Sequence, residues 1–85
     1  MTEWTIMTTD QESDEIYEKK RRCIFRDERI AMKEGDIIHF QNMRNGKRVY
    51  HKNNRIPYQI TIIDDYRTVP ITGKIKMINF KEYRR

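Results

Sequence analysis

Two clusters of basic side chains are the residues of this chain best suited to chemistry. Arg44, Lys47, Arg48, Lys52 and Arg55 fall within a twelve-residue stretch that holds no acid, and Asn45, Tyr50, His51, Asn53 and Asn54 lie among them. Lysine and arginine bind phosphate, asparagine reaches base edges, and an exposed tyrosine stacks on an unpaired base. The second cluster is Lys19-Lys20-Arg21-Arg22, with Arg26 close behind. The bland reading of both is a solvated hairpin and an ordinary helix end. Charge distribution favours the sharper one. Residues 1–40 carry seven basic and ten acidic side chains, and residues 41–85 carry eleven and three, so the net charge of +5 is concentrated in the second half. Such a basic face suits RNA or another nucleic acid, and second to that an acidic protein partner.

Other chemistry finds little support. Glycine occurs at 35, 46 and 73, too dispersed for a phosphate-cradling loop. Cys23, His39 and His51 match no zinc spacing, so neither metal nor cofactor is expected. His39 reads as a packed or solvent-facing strand residue, and His51 as solvated in a basic loop. Cys23 is the single cysteine and cannot form an internal disulfide; it reads as a small buried hydrophobe. Neighbouring carboxylates occur at Asp14/Glu15, Asp27/Glu28 and Asp64/Asp65, but adjacent residues in a strand point to opposite faces, a poor basis for joint acid–base work; Asp27/Glu28 most simply end a strand and Asp64/Asp65 form a turn. The chain has no apolar run of membrane-spanning length, and Met1-Thr2-Glu3-Trp4 lacks the basic region and apolar stretch of a signal peptide. A soluble cytoplasmic protein without a membrane partner, monomeric or weakly dimeric, is expected.

The elements that must position the clusters are short. Glu3 to Met7 reads as a strand with apolar contacts from Trp4, Ile6 and Met7. Thr9 and Glu12 form a potential capping box for a helix over residues 10–20, acidic first and basic last, with Glu15 and Lys19 spaced to pair. Arg22 to Arg26 reads as a strand ended by Asp27-Glu28-Arg29. Lys33-Glu34-Gly35-Asp36 is a turn into Ile37-Ile38-His39-Phe40, where Ile38 and Phe40 share a face. Asn45-Gly46 is the signature of a type I′ hairpin joining His39–Met43 to Lys47–Tyr50. Residues 51–55 read as a loop. Tyr58, Ile60 and Ile62 alternate inward, Asp64 to Arg67 turns the chain, and a last strand runs from Lys74 to Phe80 after a bend at Gly73. The expectation is a mostly β (α+β) fold. It is a small curled antiparallel sheet or partly open β-barrel of five to six strands with one short N-terminal helix.

The run Lys20-Arg21-Arg22-Cys23-Ile24-Phe25-Arg26-Asp27-Glu28, then Met32-Lys33-Glu34-Gly35-Asp36-Ile37-Ile38-His39-Phe40, resembles the ASCH family, relatives of the PUA RNA-binding domain. Arg26 matches a strand-ending arginine, Asp27-Glu28 an acidic pair of some small bacterial members, and Lys33, Gly35 and Asp36 the turn into the next strand. Thr72-Gly73-Lys74-Ile75 resembles the opening of the closing strand. The resemblance covers residues 4–40 well and 71–80 loosely. It implies a single ASCH/PUA-like domain over residues 1–85, of a small bacterial or phage kind, with residues 81–85 as a basic C-terminal tail. It also implies an RNA or nucleotide cleft beneath the helix.

The chain departs from the family where Lys19 stands for a glycine, Arg21 for a lysine, and Ile24 for a threonine or glutamate. Small members that hydrolyse acetylated cytidine rely on that lysine and threonine. Arginine stays protonated and isoleucine has no proton to move. Binding rather than catalysis is therefore expected, with Arg21, Arg22 and Arg26 lining the cleft and Lys47, Arg48, Tyr50, Lys52 and Arg55 extending it. The alternative is an amidohydrolase-like enzyme acting on a modified nucleoside, with Glu28 as its general base.

Overall fold

The computed structural model describes residues 1–27, 31–67 and 74–84. Thr8 and Thr9 end an alternating strand, β1 (Glu3–Thr8), and open a helix, α1 (Asp10–Tyr17). The capping box forms: Glu12 N–H donates to Thr9 Oγ1 at 3.1 Å, and Thr9 N–H to Glu12 Oε1 at 3.2 Å. The helix stops three residues short of the expected 20 because Lys19 turns left-handed, with φ 63°. Lys19 N–H donates to the Ile16 carbonyl at 3.1 Å and Lys20 N–H to the Glu15 carbonyl at 2.9 Å. This is a Schellman closure with lysine where glycine fits best. Having left the helix, Lys19 does not pair with Glu15, which instead accepts from Gln11 and Arg21.

The strands that follow are β2 (Cys23–Asp27), β3 (Ile37–Arg44), β4 (Lys47–Arg48), β5 (Pro57–Arg67) and β6 (Lys74–Glu82). They form one sheet in the order β1-β3-β5-β6-β2, with β4 beside β3. β1 runs parallel to β3 and the other pairs are antiparallel. The hairpin turns where Asn-Gly predicts. Asn45 and Gly46 both have positive φ (52° and 75°) between the paired Arg44 and Lys47. Residues expected as a loop contain a one-turn 3-10 helix, Lys52–Arg55.

One face of the sheet is the core. Ile6, Ile24, Ile38, Phe40, Tyr58, Ile60, Ile78 and Phe80 are buried there, joined by Ile16 of α1 and by Met32. The rings of Phe40, Tyr58 and Phe80 stand 5.2–5.3 Å from one another in tilted and edge-on contacts.

Four local expectations are corrected. Ile62 is 51% exposed, because a bulge after Ile60 shifts the register from Ile60–Phe80 to Ile62–Asn79 and turns Ile63 to the core instead. Asp64 to Arg67 does not turn: these residues continue β5, where ladder pairing with β6 from Met77 to Lys74 overrides the local preference of Asp-Asp. Met7 points outward. The expected tail starts later than residue 81, since Lys81 and Glu82 belong to β6 and Tyr83 N–H donates to the Pro57 carbonyl at 2.9 Å. The readings placed on Glu28, Arg29, Ile71, Thr72, Gly73 and Arg85 lie outside the described residues.

The sheet curls without closing. β1 and β2 are at opposite ends of the strand order, yet Arg26 Nη2 on β2 donates to the Met7 carbonyl on β1 at 2.9 Å. Arg26 Nη1 donates to the Phe25 carbonyl at 2.7 Å and lies 3.4 Å from Glu12 Oε2. One side chain thus spans the open seam and ties it to α1. The helix is also held by a buried polar chain. Thr8 Oγ1 and Ser13 Oγ are 2.7 Å apart, Ser13 Oγ donates to Asn42 Oδ1 at 2.6 Å, and Asn42 Nδ2 donates to Asp10 Oδ1 at 2.7 Å.

Asp36 fastens the first strand from the other end. Its carboxylate accepts from Trp4 Nε1 at 2.8 Å, from Thr2 N–H at 3.1 Å and from Lys33 N–H at 3.0 Å. These donors, Trp4 foremost, hold its carboxyl below the ordinary value of 3.8. A depressed pKa contributes stability that is complete above the unfolded value, about 3.9, and is lost as pH falls through the lower native value. Fluorescence of Trp4, the one tryptophan, should therefore stay native-like at pH 5 and change only in an acid step that Asp36→Asn removes. A midpoint above pH 4 would contradict this arrangement. Separately, Lys19→Gly relieves a left-handed side chain and should stabilise by about 1 kcal/mol. In a calorimetric scan that is a Tm rise of roughly 4–8 °C for a domain of this size; a fall would argue against the Schellman closure.

Candidate functional site

Where α1 ends, the sheet below it is left uncovered, and a cleft of about 520 Å³ opens. Its floor is apolar: Ile16 from the helix, Ile56, and the rings of Tyr58 and Phe80. The Schellman closure makes its first wall, turning the chain so that Lys19, Arg21 and Arg22 border the opening. The Arg22 carbonyl accepts from Phe80 N–H at 3.1 Å, which seats the start of β2 against β6. The end of β6 forms the opposite wall with Lys81, Glu82 and Arg84. Five cations thus face one carboxylate around an aromatic floor.

Arg21 donates to Glu15 Oε2 through Nε at 2.9 Å, with Nη2 2.8 Å away, so its charge is shared. Arg21 first, then Gln11, holds the Glu15 carboxyl below the usual range. Lys19, Arg22 and Lys81 have no ion-pair partner among the described residues. The Tyr58 phenol is buried and donates to Asn53 Oδ1. Burial, then the nearby Glu82, pushes its pKa up to about 12, so it stays neutral. The arrangement suits a flat group lying on the rings with its anionic part at the rim.

Tyr17 also borders a second, shallower cleft of about 410 Å³ with Asp14, Glu18, Tyr50, His51 and Lys52. His51 is committed here rather than solvated. Its Nδ1 accepts from Asn53 N–H at 3.0 Å, which leaves the proton on Nε2 to donate to Asp14 Oδ1 at 2.7 Å. Tyr50 is 67% exposed and free to stack.

The structure therefore sorts the expected site residues. Arg21 and Arg22 line the first cleft, and Tyr50 and Lys52 the second. Lys47, Arg48 and Arg55 are exposed but border neither. Arg26 is not in the cleft: its inward-facing strand position aims it across the seam, where backbone carbonyls and Glu12 occupy it. Asn53, expected to reach a base, is fully buried beneath Tyr58, and its Nδ2 has no hydrogen-bond partner among the described residues. Arg44 is paired with Asp10 at 3.0 Å. Glu28 lies outside the described residues. Sequence reasoning placed Lys19 in the second basic cluster without assigning it to the site, and it missed Tyr17, Lys81, Glu82 and Arg84. The last two were detectable: Glu82 and Arg84 follow buried Phe80 at the two-residue strand period. Among the described residues no group of His, Cys, Asp and Glu is placed to hold a metal ion, and no helix is long and apolar enough to cross a membrane.

No protein-family model and no curated protein matches the chain.

The division between clasp and rim is measurable. In urea unfolding, Arg26→Leu should lose about 1–3 kcal/mol, the range for breaking charge-assisted hydrogen bonds. Arg22→Ala should stay within about 0.5 kcal/mol of the parent, as exposed substitutions do. Equal effects would remove the distinction.

Proposed function

We propose that this protein binds single-stranded RNA in the cytoplasm, with a nucleotide seated in the cleft at the end of α1. The observation that carries this reading is the cleft's composition: five cations and one carboxylate around a floor of rings and isoleucines. An unpaired nucleotide offers the matching pair of groups, a flat base and an anionic phosphate. A duplex offers phosphates, 2′-hydroxyls and base edges but no free base face, because its bases are stacked inside. Tyr17 at the edge of this cleft and Tyr50 just beyond it are exposed, where neighbouring bases would pass.

The resemblance to ASCH domains supports the same location. The position where that family carries glycine is Lys19, and Lys19 here has the left-handed backbone that glycine accommodates without strain. A lysine kept in that conformation at the mouth of a cleft supports a role for its side chain there. The enzyme alternative draws no comparable support from the described lining, which supplies cations, rings and Glu82.

The test is titration with single-stranded RNA, duplex RNA and heparin at several salt concentrations. Binding to the single strand should weaken with salt at a log–log slope of roughly −0.7 per phosphate contact. Replacing Arg22 and Lys81 together by alanine should make that slope shallower by about 1.4, and should weaken RNA binding more than heparin binding. Equal losses on both would leave only a generic basic surface. No binding near physiological salt would end the RNA reading.

A further inference from the structure

Glu82 is the anomaly of the cleft. A site built only to hold polyanion gains nothing from a carboxylate on its wall, and this one is only loosely paired among the described residues. Its nearest cation, Arg84 Nε, is 3.9 Å from Oε1, at the limit of an ion pair, and Arg84 itself is largely in solvent. Glu82 stands opposite Tyr58 in the β5–β6 register, so its side chain shares the face of the cleft floor. Its charge is felt by the Tyr58 phenol, whose pKa it helps to raise. The phenol does not satisfy it, because Tyr58 donates its proton to Asn53. A strong acceptor, with Oε2 unpaired among the described residues and Oε1 met only at 3.9 Å by an exposed arginine, therefore faces a space lined otherwise by rings and cations.

We infer that Glu82 selects the base that enters the cleft, and that the base is guanine. This rests on the RNA reading above. A carboxylate takes two parallel N–H donors far better than one, and it is repelled by a neighbouring acceptor. Guanine presents two adjacent donors, N1–H and the N2 amino group, on its pairing edge. Adenine and cytosine each set one amino group beside a ring nitrogen acceptor, and uracil flanks its one N–H with two carbonyls. Guanine alone meets both oxygens of Glu82 without repulsion, while its rings lie over Tyr58 and Phe80 and its phosphate lies at the cationic rim.

The sign of a single substitution tests this. Uridine hexamers carrying guanine, adenine, cytosine or uracil at one central position are titrated near physiological salt. The guanine oligomer should bind tightest, by roughly ten- to a hundredfold, the usual scale of a good bidentate contact. Glu82→Gln keeps the shape of an exposed residue and removes one negative charge from a cationic cleft. By electrostatics alone it should tighten every oligomer. The inference requires the opposite for guanine, a loss of at least severalfold, with the uracil oligomer unchanged or slightly tighter. Equal binding of all four, or tighter guanine binding by Glu82→Gln, overturns the base assignment and leaves RNA binding standing. No binding of any of the four overturns both.

Discussion

The hydrogen bond from Ser13 to Asn42 is the contact on which the rest of the molecule turns. A sheet with one apolar face needs a cover, and the cover available here is an eight-residue helix that buries a single apolar side chain, Ile16. Burying one isoleucine contributes about 1.5–3 kcal/mol, too little to fix both the position and the angle of a helix. The chain Thr8–Ser13–Asn42–Asp10 supplies direction, because hydrogen bonds are oriented where apolar contacts are not. Thr8, Ser13 and Asn42 are buried, so breaking any one of these bonds leaves a buried polar group without water or partner. The cleft is the gap between the end of this helix and the sheet, and its walls stand where these bonds place them.

The sheet reaches the same place from the other side. It curls far enough for its two edge strands to be spanned by Arg26, and it stops short of closure. Two open edges are an invitation to unwanted strand pairing, and an inward-aimed charge that bonds across them blunts that hazard. The bulge in β5 adds local twist next to the floor residues Tyr58 and Phe80. An open end beside a short cover is what makes a concave surface in so small a domain.

Charge completes the site by subtraction. The acidic first half of the chain is largely spent on neighbouring bases: Asp10 with Arg44, Glu12 with Arg26, Glu15 with Arg21, Asp14 with His51. Lys19, Arg22 and Lys81, without an ion-pair partner among the described residues, collect at the cleft. Net charge alone does not reveal this, because a paired arginine and a free one count the same. Arg26 and Arg22 sit four residues apart, and one is a structural clasp while the other borders the cleft.

Local chemistry settled several features from the sequence by itself. The Thr9–Glu12 cap, the Asn45-Gly46 turn, the Gly35-Asp36 turn, the shared face of Ile38 and Phe40, and the mostly β architecture with one short helix all follow from residues close in the chain. In each, the deciding interaction spans four residues or fewer, or repeats at the strand period. Tertiary structure decided the rest. The parallel pairing of β1 with β3, the bulge that exchanges Ile62 for Ile63, the extension of β5 through Asp65, and the loss of Arg26 and Asn53 to structural roles depend on partners far away in sequence. The site belongs to this second group. Its floor comes from α1, β5 and β6, and its cations from both ends of the chain. Proximity in space, which spacing along a chain does not encode, brings Lys19, Arg22, Lys81 and Glu82 around one opening.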